Sequence, residues 1–172
     1  MKRENDKTVD LDVASSGFEN EIQEEQDLED KWEEVNQKYL DIYEADLKAS
    51  GISQKTFDFY MDYADTYINY FLLRYAEEEA GPDGFKEYTI TDENRSVLEN
   101  GCKQIGYYIS YYYIYKDISA TPSNLKRTVE GIKNFYKRMS EHEIVSKESY
   151  DDLCTEIEFF MDEWPAECKA TC

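Results

Sequence analysis

GYYISYYYIYKD, residues 106–117, sets six tyrosines and two isoleucines in twelve positions. It can be read as a strand, as a stacking platform for nucleic-acid bases, or as helical core. A strand over YYISYYYIY would carry tyrosine on both faces, because successive side chains alternate. Helical rows, by contrast, run on from Val97 through Leu98, Cys102, Ile105, Tyr108, Ile109 and Tyr112. The stretch therefore reads as the second half of one helix, capped by Asp92 and buried over much of its circumference. Single-strand binders couple aromatic platforms to a basic groove, and only Lys103 and Lys116 lie near these rings. Core and near-core packing is the better reading. Successive helical residues point about 100° apart, so Tyr107, Tyr108, Tyr111, Tyr112 and Tyr115 cannot all face one core. Tyr107, Tyr111, Tyr112 and Tyr115 are accordingly candidates for a protein interface, where tyrosine is favoured.

Four further helices are expected around this one. Leu28, Trp32, Val35, Tyr39 and Ile42 recur at alternating spacings of four and three, the period of one helical face, up to Ser50-Gly51. Ser53 caps the next helix from Gln54, with a stripe of Phe57, Tyr60, Ala64, Tyr67, Ile68, Phe71 and Tyr75 that ends at EEEAGPDG. Thr121-Pro122-Ser123 opens another helix with proline in its first turn, followed by Leu125, Val129, Ile132, Tyr136 and Met139. Ser146 caps the last, striped by Tyr150, Leu153, Ile157, Phe160, Met161 and Trp164 and ended by Pro165. Ser149 stands where a capping box would need Glu or Gln. The fold class is all-α, about five helices in a compact bundle, since each apolar stripe must be buried against another. Trp32, Tyr39, Tyr60, Tyr67, Phe71, Ile105, Ile109, Ile132, Tyr136, Ile157 and Trp164 form the expected core.

Residues 1–27 hold too few apolar side chains to offset the entropy of ordering and read as a flexible acidic tail. Residues 28–165 form the helical domain, and 166–172 a flexible tail holding Cys168 and Cys172. The chain carries a formal net charge of −20, so its average surface repels nucleic acid and anionic lipid. Within it lies one basic island: residues 101–140 contain seven Lys and Arg against two acids. Four cysteines without CxxC spacing and a single histidine, His142, give no metal-site pattern, and the acidic clusters match no EF-hand loop. No signal-peptide core and no run of ~20 apolar residues occurs, which points to the cytoplasm and away from membranes.

Gly51, Ile52, Ser53, Lys55 and Thr56 form a G-[IL]-S-x-K-T turn entering a helix, and Ile132, Lys133, Phe135, Tyr136 and Met139 form an IKxFYxxM helix followed by a short link. In these motifs the chain resembles the helical core-binding (SAM-like) domain of phage-integrase-type tyrosine recombinases, and a group of bacterial proteins made of that module alone. The likeness spans roughly residues 30–164. It implies a helical module that, in a recombinase, forms half of a clamp around DNA while a second domain performs catalysis. No HxxR element is present, since Glu143, Ile144 and Val145 follow His142. Nothing beside the sixteen tyrosines would activate one as a nucleophile or stabilise phosphoryl charge.

The expected function is thus a non-catalytic interaction module that binds protein, a second copy of the chain included, with no cofactor, no metal and no enzymatic activity. The alternative is a DNA-associated accessory protein using the basic helix at 126–138. There Lys126, Lys133 and Lys137 share one side, with Arg127 and Arg138 beside them. Net charge disfavours that alternative. A small hydrolase with an unrecognised carboxylate site is the third class, resting only on the number of carboxylates.

Overall fold

The computed structural model describes residues 11–72, 95–116 and 120–171. These residues form seven helices and no strand. Helix α1 spans Leu11–Ala49. Its buried positions include Trp32, Asn36, Tyr39, Leu40, Tyr43 and Leu47, one continuous stripe. The start at Leu11 lies inside the segment read as an acidic tail: glutamate, glutamine and leucine are good helix formers, and the run from Glu19 to Leu28 contains no breaker. Gly51, at φ +67°, ends the helix in the left-handed region, where glycine carries no Cβ penalty.

Helix α2 runs Gln54–Asp65 and continues as a π-helical segment over Thr66–Phe71. Ser53 caps it as expected, its hydroxyl accepting the Thr56 N–H at 3.2 Å. The wide π turn lets Ile68 present its carbonyl to α1, where the Trp32 indole donates to it at 2.9 Å. Asn36 donates to the same carbonyl at 3.4 Å and to the Asn69 side chain at 2.9 Å. Ala64, Tyr67, Ile68 and Phe71 are buried as the stripe requires, while Phe57 and Tyr60 are half-buried. Tyr75, the EEEAGPDG breaker and Asp92 lie outside the described residues.

The single helix expected through the tyrosine stretch is two. Helix α3 spans Arg95–Gly101, and a turn at Cys102–Gln104 separates it from α4. Helix α4 joins Ile105–Tyr107, a second π-helical segment at Tyr108–Tyr113, and Ile114–Lys116. Gly101, the last residue of α3, stands where its neighbours leave no room for a side chain. A Cβ there would collide with the Tyr136 hydroxyl and stand 2.8 Å from Leu72 Cδ1, while the Gly101 carbonyl accepts from the Tyr67 hydroxyl at 2.7 Å. Two carboxylates then fix the corner. Glu99 of α3 accepts the Ser146 N–H at 2.6 Å, and Glu156 accepts the Gly106 N–H at 3.1 Å.

Helix α5, Pro122–Glu141, has the expected Thr121 cap and first-turn proline. Leu125, Val129, Ile132, Tyr136 and Met139 are all buried. It packs mainly on α2, where Gly131 admits Tyr60 and Tyr63. Helix α6, Lys147–Phe160, starts at Ser146, whose hydroxyl accepts the Ser149 N–H. Glu99, arriving from α3, takes the Ser146 N–H that a capping-box glutamate would take.

Pro165 does not end α6. The helix stops at Phe160, and Pro165 stands in the first turn of a new helix, α7, Trp164–Thr171. Proline is tolerated there because first-turn N–H groups have no intrahelical acceptor. Cys168, assigned to a C-terminal tail, is fully buried on α7.

One hydrophobic cluster joins these helices. Of the core residues expected from sequence, all but the half-buried Tyr60 are buried. Edge-to-face and tilted rings connect its parts: Tyr43 to Phe135, Phe135 to Tyr136, Tyr136 to Tyr67, and Tyr67 and Phe71 to Tyr108. Because Tyr136 and Leu72 fill the space over Gly101, Gly101→Ala should destabilise the protein by about 1–3 kcal/mol through overpacking. The check is a lowered urea midpoint at unchanged slope; a parental midpoint would mean that the surrounding side chains yield freely.

Candidate functional site

The tyrosine stretch divides between core and surface. Tyr108 and Tyr113 are buried and Tyr112 is half-buried, whereas Tyr107, Tyr111 and Tyr115 expose 38%, 49% and 66% of their surface. Tyr107, Tyr111 and Tyr115 follow one another at intervals of four along α4. The Tyr107 and Tyr111 rings stack with centroids 5.0 Å apart and planes 20° from parallel. Tyr112 meets Tyr70 of α2 at 5.8 Å, and Tyr70 is itself 49% exposed. Both π segments thus contribute buried rings to the core and exposed rings to one aromatic face. Tyr70 was missed in the sequence because it lies off the α2 stripe; only its place three residues after Tyr67, on a differently wound turn, sets it beside α4.

A tryptophan fixes the other edge of this face. The Trp164 indole of α7 donates to the Ser110 hydroxyl at 2.9 Å, within the π segment of α4. Phe160 stacks on Trp164 at 5.3 Å, and its neighbour Phe159 is exposed. Asp162 and Glu163, in the turn joining α6 to α7, are exposed immediately before Trp164.

The basic residues of α5 form no uninterrupted patch. Glu130 stands between Lys126 and Lys133 on the same side of the helix, four and three residues away. Lys137 and Arg138 both approach Glu141, at 3.8 and 2.7 Å. Arg127 turns to α2, its guanidinium carbon 3.8 Å from the Phe59 ring centre. There Lys55, Asp58, Phe59, Asp62 and Arg127 line an open cleft of mixed charge. The sequence hinted at this cleft only through Phe59, an aromatic residue off the α2 stripe.

The buried groups around the α3–α4 corner are chemically quiet. Burial raises the Tyr67 and Tyr136 hydroxyls well above the ordinary tyrosine value, and burial beside Glu99 and Cys154 raises the Cys102 thiol likewise. All three therefore stay protonated near neutral pH, which is the non-nucleophilic form of each. Among the described residues no group of three His, Cys, Asp or Glu is placed to hold a metal ion, and no helix is long and apolar enough to cross a membrane. In comparisons with known proteins, no family model, no curated protein and no solved structure matches the chain.

One group at the corner has a pH signature. Burial raises the half-buried Glu156 carboxyl above its ordinary value, and the Gly106 N–H acts in the opposite direction. A carboxyl raised on folding holds its proton more tightly in the native state. Its contribution therefore favours folding at low pH and is lost as pH rises through the carboxylate range. Glu156→Gln keeps an oxygen for the Gly106 N–H and removes the titration. Its stability relative to the parent should rise between about pH 4 and about pH 7, as read from urea midpoints across that range. A difference that shrinks with rising pH would contradict the assignment.

Proposed function

We propose that the chain is a non-catalytic protein-binding module, akin to the helical core-binding domain of phage-integrase-type recombinases, that receives its partner on the tyrosine face of α4. The observation that carries this reading is the row of exposed rings at Tyr107, Tyr111 and Tyr115, with exposed Tyr70 of α2 against the neighbouring Tyr112. Exposed aromatic side chains in one row bring large contact area at low entropic cost, and tyrosine is enriched where binding energy concentrates. The row is anchored from beneath by the buried rings of Tyr108 and Tyr113 and from the side by Trp164. It is therefore presented by a rigid element, which lowers the ordering cost of association.

The alternative DNA-associated role draws on α5, where three of the five basic residues already engage Glu141 or Phe59. Electrostatic attraction to phosphate would have to overcome both these internal pairs and the −20 net charge.

A photo-crosslinking residue placed at Tyr111 or Tyr115 in living cells should give discrete protein adducts, and the same residue at Asp41 on α1 should give none. Adducts at all positions alike, or at none, would overturn the reading. Duplex DNA should show no binding in a mobility-shift titration. Submicromolar binding at physiological salt, abolished by Lys126→Ala, Lys133→Ala and Lys137→Ala together, would establish the DNA role instead.

A further inference from the structure

Resting on that protein-binding reading, we infer that the partner segment taken by the α4 face is cationic and arginine-bearing. Three observations lead there. First, the face is aromatic along its length, with Tyr107 and Tyr111 stacked in parallel. Exposed ring faces and ring edges of this kind are surfaces on which a planar guanidinium packs, through both cation–π attraction and stacking.

Second, carboxylates border the face. The Trp164–Ser110 hydrogen bond brings the turn holding Asp162 and Glu163 to the edge of α4, and the Glu156–Gly106 contact sets another carboxylate beside Tyr107. Across Lys147–Thr171 the sequence holds eight carboxylates against two lysines. A partner meeting this border with acids would suffer like-charge repulsion, and one meeting it with neutral groups would desolvate carboxylates without return.

Third, the molecule already uses this chemistry internally. Arg127 of α5 lies over the Phe59 ring while Asp58 and Asp62 of the same helical turn line the cleft around it. Helix α5 is thus docked on α2 partly by a guanidinium seated on a ring among carboxylates. The α4 face offers the same pairing of ring and carboxylate, facing outward.

Arginine is favoured over lysine because its planar fork stacks on a ring and meets a carboxylate with two N–H groups at once, whereas an ammonium does neither. A second copy of the chain is the less suitable occupant, since each copy brings the same −20 charge.

The test uses the full chain and two fluorescent probes, nona-arginine and nona-lysine, titrated by anisotropy at physiological salt. Nona-arginine should bind at least about fivefold more tightly than nona-lysine. Tyr107→Leu with Tyr111→Leu should weaken nona-arginine about tenfold and abolish that preference, while Tyr107→Phe with Tyr111→Phe, which keeps both rings, should retain it. Asp162→Asn with Glu163→Gln should weaken both probes more than Glu33→Gln with Asp41→Asn on α1. Equal binding of the two probes, or equal effects of the two acid pairs, would mean attraction to bulk charge and would overturn the inference. A dimer in sedimentation velocity that the leucine pair dissolves would overturn it in favour of a second copy. Discrete crosslinks at Tyr111 to a partner segment without basic residues would remove this inference and leave the protein-binding reading standing; loss of the crosslinks themselves would remove that reading.

Discussion

The fully buried ring of Tyr67 is the contact on which the other helices depend. It meets Tyr108 of α4 and Tyr136 of α5 edge-to-face, and its hydroxyl holds the carbonyl that ends α3. One residue of the π segment in α2 therefore sets the spacing of three other helices. Burial raises the hydroxyl well above the ordinary tyrosine value, so it remains protonated and a donor at neutral pH. The π winding around it has a further role. A wide turn cannot satisfy its carbonyls as regularly as an α turn, and Ile68 finds its additional donors in Trp32 and Asn36 of α1. The second π segment engages Trp164 of α7 differently, through the side-chain hydroxyl of Ser110. The two indoles, one near each end of the chain, thus both terminate at the central pair of π segments.

What was legible in the sequence was local. Ser53, Thr121-Pro122 and Ser146 cap their helices through atoms three residues away, and the stripes of α2 and α5 follow from helical period alone. The turn at Gly101 was illegible for a definite reason. An isolated glycine inside a helical row is tolerated, and the residues that crowd Gly101, Tyr136 and Leu72, are distant from it in sequence. Pro165 posed the same ambiguity, since proline fits both after a helix and in the first turn of the next. Glu99, which completes the cap at Ser146, comes from another helix and leaves no trace in the local pattern. For the candidate face, the 100° rule separated rings that must leave the core, and Tyr107, Tyr111 and Tyr115 do so. Tyr112 is drawn partly inward because the π turn changes the angle between successive side chains, and Tyr70 joins the face only through tertiary packing.

The charge distribution follows from the same architecture. Acids outnumber bases about two to one in the sequence, and among the described residues the buried core holds neither. The bases of α5 are mostly absorbed: Lys137 and Arg138 by Glu141, Arg127 by the Phe59 cleft. Helix α5 still carries five bases against Glu130 and Glu141, so these contacts balance its charge only in part. Such exposed pairs contribute little stability individually.

The closure of α1 on α5 governs how the protein is born. Tyr43 donates to Asn134 across 91 positions of sequence, and Asp46 meets His142 across 96. At elongation rates of about 5–20 residues per second, α1 waits roughly 5–20 seconds on the ribosome before those partners are synthesised. Its aromatic stripe stays without its native cover on α5 for that interval, although α2 arrives early enough to hold Trp32. The slow, non-local step belongs to a helical protein whose other contacts are mostly short-range. Helix α1 is therefore an element that is made long before the side chains that close over it.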